Sequence, residues 1–112
     1  MTTISEEIPV GSITAIPVGE GRTIEVAGER VAIFNARDGQ VHAVQATCPH
    51  RGGPLADGLF GETTVVCPLH GWKFNVSTGE CVGPPTAPCK LRTYSVRLNE
   101  AGKILLTVPS RV

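Results

Sequence analysis

The sequence predicts an all-β fold, an antiparallel sandwich or barrel with a ligand-bearing subdomain inserted at one end. Three observations carry that expectation. Short β-branched and apolar runs alternate with turn signals along the whole chain. Glycine (13) and proline (9) are frequent among the 112 residues, while aromatic residues are only 4%. Only residues 54–59 read as a helical turn. Many short strands between Gly- and Pro-rich turns suit a sandwich or barrel, and this length suits one domain, residues 1–112, with a modest core.

Taken in order, residues 13–18 are short and β-branched but contain Pro17, which limits them to an edge strand. Gly19-Glu20-Gly21 is a turn. Residues 23–26 and 30–34 form a hairpin through Gly28-Glu29. Asp38-Gly39 is the strongest short hairpin signal, because such a pair accepts positive φ, and it joins the second of these strands to residues 41–46. Residues 63–66 form a further strand. Residues 72–76 and 80–82 make another hairpin through Ser77-Thr78-Gly79. The run from Gly83 to Pro88 cannot be regular structure, since proline lacks the amide donor. Residues 91–98 and 103–108 are the last pair, joined through Asn99 to Gly102. Within them Tyr94, Val96 and Leu98 alternate with Thr93, Ser95 and Arg97, the pattern of a half-buried strand.

Charge and composition exclude several functions. Ten basic residues balance ten acidic ones, so no nucleic acid or membrane surface is implied as a partner. The N-terminus lacks the basic and apolar regions of a secretory signal, and no apolar run approaches a membrane span. The expectation is a soluble cytoplasmic protein. In that reducing compartment four cysteines point to metal ligation rather than to disulfides.

The chemistry is concentrated in CPHRGGPLADGLFGETTVVCPLH, residues 48–70. Cys48 and His50 fall in one loop, Cys67 and His70 in another, as Cys-x-His, sixteen residues, then Cys-x-x-His. Thiolate and imidazole are ligands for iron or zinc. Proline after each cysteine stiffens the loop, and glycine just beyond each histidine permits a close backbone approach. Two readings follow. Two Cys and two His around one ion make a tetrahedral zinc site, although Cys-x-His is tighter than the about two- to four-residue gaps usual for zinc pairs. One Cys from each loop on one iron, and one His from each on a second, makes a mixed two-iron cluster.

The segment resembles the Rieske [2Fe–2S] motif, with Gly52, Gly53, Pro54, Leu55 and Gly71 extending the match beyond the ligands. The resemblance is to the soluble Rieske-type ferredoxins of oxygenase systems. It implies a Rieske-like fold with a cluster-binding subdomain at about residues 46–86. It further implies Cys48 and Cys67 on the inner iron, and His50 and His70 on the outer iron. Gly53, Leu69, Gly71 and Trp72 would surround the cluster, with Pro84 and Pro85 in a covering proline loop. The implied role is one-electron transfer without catalysis, from a flavin-dependent reductase to a terminal oxygenase. The neighbouring alternative is the small subunit of an assimilatory nitrite reductase serving its large subunit; many of those have Asn-Trp where Gly71-Trp72 stands here. The alternative of another class is the structural zinc module.

Other residues have plainer readings. His42 is an ordinary strand residue. Cys81 and Cys89 flank the proline loop as thiols or packing residues, with a disulfide between them as an open alternative. Arg51 tunes docking or is solvated, and Asp57 and Glu62 are surface charges.

Two departures from the high-potential branch of the family bear on redox chemistry. That branch has a disulfide joining its two ligand loops, where Gly53 and Leu69 stand here. It also has hydroxyl donors where this chain has Trp72 and Phe74. Hydrogen bonds to the sulfurs favour the more negative reduced cluster, so their loss lowers the potential. A redox titration is expected to give about −150 mV. The value should be nearly flat between about pH 6 and about pH 8. A clearly positive midpoint contradicts this reading.

Overall fold

The structure, a computed structural model, describes residues 4–26, 28–48, 52–69, 71–83 and 90–110. Its strands run in chain order as β1 (Ile4–Ser12), β2 (Gly21–Val26), β3 (Glu29–Asn35), β4 (Val41–Gln45), β5 (Leu59–Gly61), β6 (Thr64–Val66), β7 (Lys73–Asn75), β8 (Cys81–Gly83), β9 (Thr93–Tyr94), β10 (Val96–Leu98) and β11 (Lys103–Ser110). Single 3-10 turns occupy Ile13–Ala15 and Leu55–Asp57. The strands form three antiparallel sheets, ordered β1-β11-β10, β2-β3-β4-β9 and β5-β6-β7-β8.

The second sheet is the platform for the other two. Along β3, Val31 and Ile33 join one core with Val41, Ala43, Ile104, Leu106 and Val108. Ala32 and Phe34, pointing the other way, join a second core with Val44, Leu55, Val65, Phe74, Val76 and Leu91. Successive strand residues face opposite sides, so a strand covered on both faces needs an unbroken apolar run. Val31 through Phe34 supplies one, and all four residues are fully buried. The first core faces the β1-β11-β10 sheet; the second faces β5 to β8. Phe34 reaches across to Phe60 of β5, with ring centroids 4.7 Å apart.

Several expectations change in the folded chain. Residues 13–18 are not an edge strand: Ile13–Ala15 turns as a 3-10 helix, capped by Ser12 Oγ accepting from the Thr14 amide. The edge strand is instead β1, whose Glu6-Glu7 and Pro9 obscure it in the sequence. It pairs with β11 from Ile4↔Ser110 to Ser12↔Lys103, with a register shift after Pro9. An edge position tolerates that proline. Glu29 already pairs with Val26, so the first hairpin turns one residue earlier than expected. The Asp38-Gly39 hairpin forms, with the Gln40 amide bound to Asp38 Oδ1 at 2.8 Å. The helical turn falls at Leu55–Asp57, and β5 follows it unforeseen.

The expected strand over residues 91–98 divides at Ser95. Thr93 and Tyr94 pair with β4, whereas Val96 to Leu98 pair with β11. A chain that passes from one sheet to another bends at the corner, and the Thr107 amide closes this one on the Ser95 carbonyl at 2.8 Å. The half-buried alternation of Tyr94, Val96 and Leu98 holds across the bend. Between β4 and β9, which are neighbours in the platform, the chain makes the whole β5-β6-β7-β8 sheet.

Phe34→Ala should destabilise the folded protein by about 3–5 kcal/mol. Denaturant unfolding of the purified protein measures this. A change below about 1 kcal/mol would show that the two sheets are not joined through this ring.

Candidate metal centre

Cys48 follows the end of β4 and Cys67 the end of β6, and both are only 2% exposed. The two cysteine loops share one backbone frame. In the first, the Cys48 amide donates to the Gly53 carbonyl at 2.8 Å and the Gly52 amide to the Cys48 carbonyl at 2.7 Å. In the second, the Cys67 amide donates to the Trp72 carbonyl at 2.7 Å and the Gly71 amide to the Cys67 carbonyl at 3.0 Å. Thr47↔Pro54 closes the first loop and Val66↔Lys73 the second. Gly52 and Gly71 occupy the same place in their loops, with φ of 73° and 72°. That conformation is costly for residues with a Cβ, which explains a glycine four residues after each cysteine.

The loops meet at Gly53. A Cβ built on it would lie 2.9 Å from Cys67 Sγ and 3.0 Å from Leu69 Cγ. Gly53 is buried, whereas Leu69 is 54% exposed. The two positions that separate this chain from the disulfide-bearing branch are thus against each other. Both cysteines belong to the apolar core of Leu55, Val65 and Phe74, and half-buried Trp72, Phe60 and Cys81 pack onto it. Two soft sulfur donors in apolar surroundings, with a backbone cradle drawn against one of them, fit an iron–sulfur group.

The remaining expected site residues divide simply. Gly71 and Trp72 end the second loop, where Trp72 contributes its carbonyl to the frame. His50, His70, Arg51, Pro84, Pro85 and Cys89 lie outside the described residues, as does any pairing of Cys81 with Cys89. His42 is a β4 residue opposite Phe34; its Nε2 is buried with no hydrogen-bond partner among the described residues. Asp57 and Glu62 are exposed. The sequence reading missed the equivalence of the two frames. Its signal was present: CPHRGG and CPLHGW each place glycine at the fifth position, with histidine third in one and fourth in the other.

A β platform carrying two matched cysteine loops defines a small metal-centre protein. The Rieske [2Fe–2S] domain model matches residues 6–98, and the chain belongs to that family, whose cofactor is the Rieske-type [2Fe–2S] cluster. The biphenyl dioxygenase ferredoxin subunit of Pseudomonas sp. (strain KKS102) is 38% identical over 89 residues, covering 78% of this chain and 79% of that protein. A chain in the solved complex of reduced oxygenase and oxidised ferredoxin in carbazole 1,9a-dioxygenase is 26% identical. It matches with a TM-score of 0.78 over 95% of this chain and 96% of that one. A nitrite reductase small subunit structure from Mycobacterium tuberculosis has a TM-score of 0.85 at 24% identity, over 96% of this chain and 99% of that one. That last likeness shows the fold alone. The chain spans 23%, 19% and 16% of the length of the first curated relatives it matches. With the family shown, the structural zinc reading gives way to the cluster.

Gly53→Ala should lower the iron content of the purified protein, because the added methyl meets Cys67 Sγ as well as Leu69. Adding Leu69→Ala removes only the flexible half of that clash. The double variant should therefore remain iron-poor by metal analysis; full iron in Gly53→Ala would show that the cradle has room to spare.

Proposed function

We propose that this chain carries single electrons from a flavin-dependent reductase to a terminal oxygenase, with Cys48 and Cys67 as ligands of the inner iron and His50 and His70 as ligands of the outer iron. When bound, the cluster supplies one reversible electron. Leu55, Val65, Phe74 and half-buried Trp72 keep water from the two cysteine side chains. Gly52, Pro54, Pro68, Leu69 and Gly71 remain exposed around the loop tips, leaving a small surface of the kind transient redox partners use.

The supporting observation is the match to the biphenyl dioxygenase ferredoxin subunit, in which most of each chain takes part. The likeness to a chain of a solved oxygenase–ferredoxin complex supports the same acceptor class. The second reading, a small subunit of nitrite reductase, has in its favour only a fold shared with such a subunit. Gly71-Trp72 after the second histidine favours the oxygenase reading.

The dithionite-reduced protein should give the EPR signal of a mixed Cys/His cluster and contain about two irons per chain. In a coupled assay with NADH and a flavin reductase, an aromatic-ring oxygenase should consume substrate only when this protein is present. Stimulation of a nitrite reductase large subunit instead would replace the acceptor; a colourless zinc protein would end the electron-carrier reading.

A further inference from the structure

Gln45 closes β4, two residues ahead of Thr47 and three ahead of Cys48. Both ends of its side-chain amide are engaged. Nε2 donates to the Thr47 carbonyl at 2.8 Å, and Oε1 accepts from the Arg92 amide at 2.7 Å. Its backbone amide also donates to the Arg92 carbonyl at 2.9 Å. Arg92 belongs to the chain that returns from the far side of the site: Lys90 bridges Glu80, and the Leu91 amide donates to the Gly79 carbonyl at 2.7 Å.

Regular pairing between β4 and β9 is confined to Ala43↔Tyr94 and Val44↔Thr93. Beyond it, the Gln45 side chain continues the ladder. It ties the entry to the first cysteine loop to the segment re-entering the platform. We propose that Gln45 is a positioning residue for the cluster, orienting the Thr47 carbonyl and hence the chain leading into Cys48. This rests on the reading of Cys48 as a ligand. The role requires a donor and an acceptor on one side chain of this length. Methionine matches the length and offers neither strong group, and ionised glutamate offers acceptors only. Protonated glutamate again offers one of each.

The test uses the iron-loaded protein and its Gln45→Met and Gln45→Glu variants, with Gln40→Met in the exposed turn as control. Readouts are the EPR line positions after reduction and the rate of visible absorbance loss under an iron chelator. Gln45→Met should lose its cluster about tenfold faster than wild type, the lower end for groups supporting metal ligands, with shifted EPR lines. Gln45→Glu should behave alike near neutrality. Its rate relative to wild type should return toward unity as the pH falls toward about 4.3, the ordinary glutamate value, and the new carboxyl gains its proton. Glu29, Arg30, Arg92 and Tyr94 line the same concavity. Of these, Glu29 is already paired with Arg92 at 3.0 Å, and taking each rate relative to wild type removes their shared titration.

Variants with wild-type EPR lines and wild-type rates overturn the proposal, as does a lowered thermal midpoint with both readouts unchanged. If Gln45→Met fails to fold, a pH-independent rate ratio in Gln45→Glu overturns it equally. A wild-type protein without the mixed-ligand signal overturns the functional reading and this proposal together. A wild-type signal with indifferent variants overturns this proposal alone.

Discussion

Two cysteine side chains from separate loops have to be taken out of water into one apolar core, and the rest of the molecule serves that constraint. A loop that buries its cysteine cannot leave its backbone polar groups unpaired, because an unsatisfied buried group costs about as much as the hydrogen bond it lacks. Each cysteine loop answers this internally, with the cysteine amide and carbonyl both bonded within the loop. Glycine at the fifth position lets the chain take the left-handed conformation that brings those bonds together. The two loops then meet through Gly53, where the absence of a side chain sets how closely one can approach the other's sulfur.

The platform beneath the loops is anchored through β3, whose residues are covered on both faces. The core shared with the β1-β11-β10 sheet lies on the side away from the cysteines. The other core includes Cys48 and Cys67 themselves. Alternate residues of one strand therefore build two cores, and only one of them contains the cysteines. The end of that strand is secured by a buried polar group. Asn35 donates from Nδ2 to the Ile16 carbonyl at 2.8 Å, and its own backbone groups bond Gly19 and Glu20 at 2.7 and 3.0 Å. A buried polar side chain is tolerated when its hydrogen bonds are made, and here they fix the 16–20 turn against the platform.

On the opposite sheet, Arg97 grips Glu7 through two nitrogens at 2.7 and 2.8 Å. The guanidinium donates to the Glu7 carboxylate and holds that carboxyl below its ordinary value. The pair joins β10 to β1 from either side of β11. Any stabilisation from it is present above the ordinary glutamate range and fades as acid protonates the carboxylate. Both groups are solvent-exposed, so screening keeps this contribution subordinate to the cores.

Local chemistry made much of this protein legible from sequence. Asp38-Gly39 announced its hairpin, residues 30–34 a strand, and the pattern of Cys48, His50, Cys67 and His70 a resemblance to the Rieske motif, because each signal depends on near neighbours. β1 stayed hidden, since Glu6, Glu7 and Pro9 read as non-strand until β11 supplies a partner and an edge position removes the objection to proline. Residues 91–98 read as one strand because side-chain alternation does not record which sheet each half joins. The meeting of Gly53 with Cys67, and the reach of Gln45 to Arg92, belong to the tertiary structure alone. Both bring together residues far apart in the chain, and no local propensity encodes such an approach.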